Sequence, residues 1–146
     1  MQTDLNKTYQ TLLVLWFGLL MSIVSLFVVC LLVVPSRPIG AASPERVLSF
    51  TFAAVATFVV ILSFAVKRKL FERAVTNQDV TLVQKGLIVA CAMCEVSAIL
   101  GVVERFLIGN NDCFVLFVLA AGGIGLHFPR RNSLEAATYK ERGNLQ

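Results

Sequence analysis

The chain has 146 residues, of which 57% are hydrophobic and 15% charged, with a mean hydropathy of +0.77. That balance excludes an ordinary soluble domain of this size and calls for a lipid solvent. The net charge of +4 does not point to nucleic acid, because the basic residues cluster at the ends of apolar blocks rather than along one polar face.

Uncharged blocks run from Leu12 to Val34, from Val47 to Val66 and from Cys113 to Pro129, and a fourth, Gly86 to Val103, carries the single acid Glu95. A hydrocarbon core about 30 Å thick needs roughly 20 helical residues. The first two blocks, of 23 and 20 residues, meet that length outright. The first is also too long for the ~7–15-residue apolar core of a signal sequence, although Gly40, Ala41 and Ala42 supply the small residues that a cleavage site would use. Two prolines, Pro35 and Pro38, end the first helix, and Ser43-Pro44-Glu45 opens the second with an N-cap, a first-turn proline and an acid at the positive end of the dipole.

The stretch Lys67 to Ala74 contains no breaker, so the second helix is expected to outrun the lipid and to turn at Thr76-Asn77-Gln78-Asp79. The third then runs to about Ile108, with Glu104 and Arg105 expected to reach into the outer headgroups, before a loop at Gly109-Asn110-Asn111-Asp112. The last block, Cys113 to Pro129, is the shortest at 17 residues. In the tail, Asn132 and Glu135 have the spacing of a capping pair for a short surface helix, but composition favours a solvated tail whose Arg130 and Arg131 enforce topology.

The expected fold is an all-α membrane protein, a single domain over residues 1–146 made of four transmembrane helices at about 10–34, 44–72, 78–108 and 112–128, with a tail at 129–146. Ten of the thirteen Lys and Arg residues (Lys7, Lys67, Arg68, Lys69, Arg73, Lys85, Arg130, Arg131, Lys140 and Arg142) fall on one side of such a bundle. Basic loops are retained inside, so both termini are expected in the cytoplasm of a multi-pass protein of the cell (inner or plasma) membrane.

Helices in lipid pack through small residues. The third offers Gly86, Ala90, Cys94 and Gly101 along one stripe, and the others offer Gly18, Ser22 and Ser25, then Ser49, Ala53 and Ala56, then Ala121, Gly122 and Gly125. Glu95 lies ten residues from Lys85, about 15 Å along a helix and so near the bilayer centre. Desolvation there favours the neutral acid, which makes Glu95 the candidate proton-binding residue, or else a polar tie to Ser22, Ser25 or Thr57. Cys91, Cys94 and His127 occupy the same half of the membrane as weak metal candidates, short of a four-ligand set, and no metal or other cofactor is expected. Cys30 and Cys113 both fall near the outer face, where a disulfide is geometrically conceivable but buried free thiols are expected. No phosphate loop, nucleophile with a base, or exposed acid pair is present to support catalysis.

The run Cys94-Glu95-Val96-Ser97-Ala98-Ile99-Leu100-Gly101-Val102-Val103 resembles the proton-carrying helix of rotary ATP synthase c subunits, and the resemblance implies proton binding at Glu95. The chain departs from that family in lacking a dense glycine repeat over Thr51–Phe58 and in having two additional helices. Its overall pattern is similar to that of small bacterial four-helix membrane proteins, a likeness that implies no activity. The expected function is a non-enzymatic accessory or structural subunit of a larger membrane complex, partnered by the lipid bilayer and by other membrane subunits or copies of itself. The alternative is a proton- or small-solute-handling protein built on Glu95.

Overall fold

The computed structural model describes residues 2–33, 44–109 and 111–138. Five helices follow in chain order: α1 (Gln2–Val33), α2 (Pro44–Asn77), α3 (Val80–Ile108), α4 (Cys113–Leu126) and α5 (Arg131–Thr138). Three of them, α1, α2 and α3, are long and apolar enough to cross a membrane, while α4 is a shorter apolar helix of 14 residues. The prolines of the first loop, the Ser43 cap, Asn110 and the chain beyond Thr138 lie outside the described residues.

The turn between α2 and α3 is made by Gln78, whose φ of 55° reverses the chain, and by Asp79 in extended backbone as the N-cap of α3. Asp79 Oδ1 accepts from the Thr81 hydroxyl at 2.5 Å and from the Thr81 amide at 2.9 Å. Those bonds favour the carboxylate and hold its pKa below the usual aspartate value. The cap is therefore present at neutral pH and is lost as pH falls through that lowered pKa. At its other end α3 stops at Gly109, which takes a φ of 77° and donates its amide to Arg105 O at 2.9 Å.

α3 is the central column, packed against all four other helices, while α1 and α2 do not touch each other among the described residues. Its small residues make this possible. Ala90, Cys91, Cys94 and Ala98 are fully buried. A Cβ on Gly86 would stand 3.2 Å from Leu70 Cβ, and one on Gly101 would stand 3.1 Å from the Phe117 ring. The closest approach is at Gly123 of α4, where a Cβ would come within 2.8 Å of Cys94 Sγ. Gly18, Gly122 and Gly125, by contrast, have no neighbour within 4 Å of that position. The glycine that α4 uses for close packing is therefore Gly123, one residue out of the expected stripe.

The outer surface inverts the pattern of a soluble bundle. Val14, Phe17, Met21, Val24, Val28 and Leu32 form an exposed apolar stripe along α1, and α2 exposes Phe50, Phe58 and Ile61. Apolar area of this extent is not left open to water.

Two expectations are corrected. Glu104 and Arg105 do not reach outward: they are 1% and 4% exposed, because Ser49 of α2 donates to Glu104 Oε1, and Arg105 donates to Asn111 Oδ1 at 2.8 Å while its guanidinium lies 5.7 Å from the Phe114 ring centroid. Nor is the described part of the segment after Pro129, up to Thr138, a solvated tail. It forms α5, which buries Leu134 in the core and ties back to α1 through an Arg131 hydrogen bond to Asn6 Oδ1 at 2.9 Å.

The glycine geometry gives a paired test. Gly123→Ala is expected to destabilise the bundle by about 1–3 kcal/mol through overpacking. Gly122→Ala, one residue away in open space, is expected to be neutral or to stabilise by up to ~1 kcal/mol through helix propensity. Thermal unfolding in detergent checks the contrast, and equal effects would refute the packing assignment.

Candidate functional site

The polar side chains inside the bundle fall into three groups. The first is centred on Glu95, which is half-buried and turned toward α1, where the Ser22 hydroxyl meets its Oε1. Ser22 Oγ also lies 2.9 Å from Leu19 O in its own helix. A serine has one proton to donate and a carbonyl has none. When Ser22 donates to Leu19 O, the Glu95 contact is a hydrogen bond only if the carboxyl carries the proton. The other two expected partners are not used: Thr57 donates to Ala53 O at 2.8 Å, and Ser25 faces outward.

The second group lies on another face of α3 and joins α2, α3 and α4. Ser63 Oγ is 2.6 Å from Val60 O, 2.8 Å from His127 Nε2 and 3.6 Å from Cys94 Sγ. Donation of the single hydroxyl proton to Val60 O leaves the oxygen to accept from His127 Nε2–H and from the Cys94 thiol, which uses its full capacity. The imidazole lies against Phe64, tilted by 40° with ring centroids 4.3 Å apart, and its Nδ1 is buried without a hydrogen-bond partner. One helical turn beyond Ser63, Lys67 Nζ donates to His127 O at 3.3 Å. Trp16 of α1 closes the other flank of α4, donating Nε1–H to Ile124 O at 2.8 Å.

The third group sits at the opposite end of α3. Ser49 donates to Glu104, and Arg105 reaches Asn111 and Gly109 O, the latter at 3.4 Å. The thiols of Cys30 and Cys113 meet beside that guanidinium, both fully buried and not joined in a disulfide.

Cys91, Cys94 and Glu95 are neighbours in sequence, but the two thiols are buried and Glu95 is turned to α1. Cys94 and His127 meet at Ser63, and among the described residues no three His, Cys, Asp or Glu side chains are grouped to hold a metal ion. The Ser63–His127 pair escaped sequence reasoning, although a signal for it existed. Both residues are polar interruptions a few positions from the same end of their apolar blocks, and so they sit at matching depth.

Ser63→Ala is expected to cost about 1–3 kcal/mol, because it leaves a buried imidazole with neither nitrogen bonded. His127→Phe should cost less, since Ser63 keeps Val60 O. In the double variant the coupling should recover much of the loss. Detergent unfolding of the four proteins measures this cycle, and strict additivity would show that the two side chains do not act together.

In comparison with known proteins, no family model, no curated protein and no solved structure matches this chain.

Proposed function

We propose that this chain is a non-enzymatic integral membrane protein with four spans and both termini in the cytoplasm, acting as an accessory or structural subunit of a larger membrane assembly. Orientation rests on the basic residues, which gather at the α2–α3 turn and around α5. The observation that carries the subunit reading is the set of glycines the bundle does not use. Gly18, Gly122 and Gly125 stand in open space on exposed faces of α1 and α4. Glycine in the middle of a helix costs up to ~1 kcal/mol relative to alanine and gives nothing back unless another backbone approaches closely. Among the described helical residues, Gly86, Gly101 and Gly123 are the glycines that a neighbouring helix approaches within 4 Å of the missing Cβ. The remaining three suit helices of another subunit or of a second copy.

Purification of the tagged chain from its native membrane in mild detergent should bring down a stoichiometric membrane partner or yield a defined oligomer. Gly122→Leu with Gly125→Leu should abolish that association without lowering the unfolding temperature, and Glu95→Gln should leave it intact. Recovery as a monomer with no partner would overturn the reading.

A second reading, proton handling at Glu95, draws on the Ser22 contact, in which a protonated carboxyl satisfies both oxygens of the pair. Infrared spectroscopy of the protein in lipid, with Glu95→Gln as the difference control, should then show a carboxylic acid band that responds to bulk pH. A band that stays unchanged across the neutral range would instead mark a sealed structural bond, which belongs to the first reading.

A further inference from the structure

α4 ends at Leu126, while α2 continues to Asn77 and α3 begins at Val80, so below the end of α4 the hairpin has no fourth helix beside it. The chain fills part of that space with residues 128–134, and a cavity of about 370 Å³ remains among α1, α2, α3 and α5. Three cations line it: Lys67 and Arg68 from the last apolar turn of α2, and Arg130 from the segment before α5. Its other walls include Phe64, Phe71 and Phe128, and Ser133 adds a hydroxyl.

This composition is divided by height. Phe64 belongs to the apolar block of α2, and Lys67 is the first charge after it. The cavity therefore straddles the boundary at which hydrocarbon gives way to headgroups, on the membrane reading proposed above. Lys67 is half-buried, donates to the His127 carbonyl, and has no carboxylate within ion-pair distance among the described residues. Arg68 is held by Glu72 at 3.0 Å on the exposed side. An excess of positive charge is thus left at an apolar opening. It is complementary to one kind of molecule already present at that depth, a lipid with an anionic phosphate and acyl chains. A pocket of a few hundred Å³ takes a headgroup and the first methylenes while the rest of the chains stay in the bilayer.

We propose that this cavity is a binding site for an anionic phospholipid, with Lys67 and Arg130 holding the phosphate, Arg68 adding positive charge at the rim, and Phe64, Phe71 and Phe128 receiving the acyl chains. The lipid would take the place that a longer α4 would fill, bridging α2 to α5.

The single tryptophan reports on the site, because Trp16 packs edge-on against Phe128 at 5.2 Å between ring centroids and lies one turn along α1 from Leu12, another wall residue. The test is quenching of Trp16 in the full chain reconstituted in phosphatidylcholine vesicles, with phosphatidylglycerol or phosphatidylcholine carrying brominated acyl chains titrated in. Half-maximal quenching is expected at about a tenfold lower mole fraction of the anionic lipid. Arg68→Gln with Arg130→Gln, which leaves the Lys67 contact to α4 in place, should bring the two lipids within about twofold of each other. Lys69→Gln with Arg73→Gln removes the same charge from the same end of α2 outside the cavity and should keep the preference. Equal quenching by both lipids in the unmodified protein would overturn the site, and so would an equal loss in the two double variants, which would mean diffuse surface attraction. Relief of quenching by dissolved glycerol 3-phosphate would assign the pocket to a free phosphate ester and overturn the lipid. Absence of quenching by either lipid would overturn the membrane reading together with the site.

Discussion

A hydrocarbon solvent offers no hydrogen bonds, and that constraint accounts for the way the interior of this bundle is arranged. Each buried hydroxyl, carboxyl or imidazole must find its partner on its own helix or a neighbouring one. The partners found fix which helices meet: Ser22 with Glu95 joins α1 to α3, Ser49 with Glu104 joins α2 to α3, and Ser63 with His127 joins α2 to α4. In water such contacts would compete with solvent and contribute about 1 kcal/mol each. In lipid the gain per pair is of similar size, but a mispaired register would leave a carboxyl or imidazole unsatisfied. They act mainly against the wrong arrangements.

The same solvent inverts the division of labour among side chains. Large apolar residues gain nothing by leaving lipid for a protein core, so α1 and α2 turn valine and phenylalanine outward. The interior is given to Gly, Ala, Ser and Cys on α3, whose small volume lets backbones approach and restores dispersion contacts. α3 thereby contacts every other helix, and α1 need not contact α2. At 14 residues, or about 21 Å, α4 is shorter than its neighbours. The chain then folds back as α5, whose buried Leu134 anchors it where α4 stops.

Much of this architecture was legible in the sequence because block length and charge placement are one-dimensional signals. The four apolar stretches, the α2–α3 turn at Gln78 and Asp79 and the end of α3 at Gly109 each depend on residues adjacent in the chain. What was not legible depends on rotation about a helix axis. Glu104 and Arg105 look like headgroup residues when counted from the helix end, yet they point inward because Ser49, Asn111 and Phe114 stand opposite. Gly122 and Gly125 match a packing stripe as well as Gly123 does, and only the position of Cys94 decides among them. The docking of α5 rests on one leucine and one hydrogen bond to Asn6, too faint a pattern to outweigh the seven polar or small residues that accompany Leu134 in the helix.

The placement of the polar groups bears on the choice between a structural and a proton-handling role. A relay needs titratable or hydroxyl groups in a continuous line, each within hydrogen-bond reach of the next. Here the Glu95 contact faces α1, while Cys94, its chain neighbour about 100° around the helix, faces Ser63 of α2 and through it His127. Glu104 lies nine residues from Glu95, about 13.5 Å along the same helix. Glu95 meets Ser22, and Ser22 in turn meets Leu19 O of its own helix, so the contacts end on α1 rather than leading onward. That isolation favours interhelical ties over a path. It also directs attention to the surface of the bundle, where the glycines without intrachain contact and the basic cavity below α4 present groups that the fold itself leaves unused.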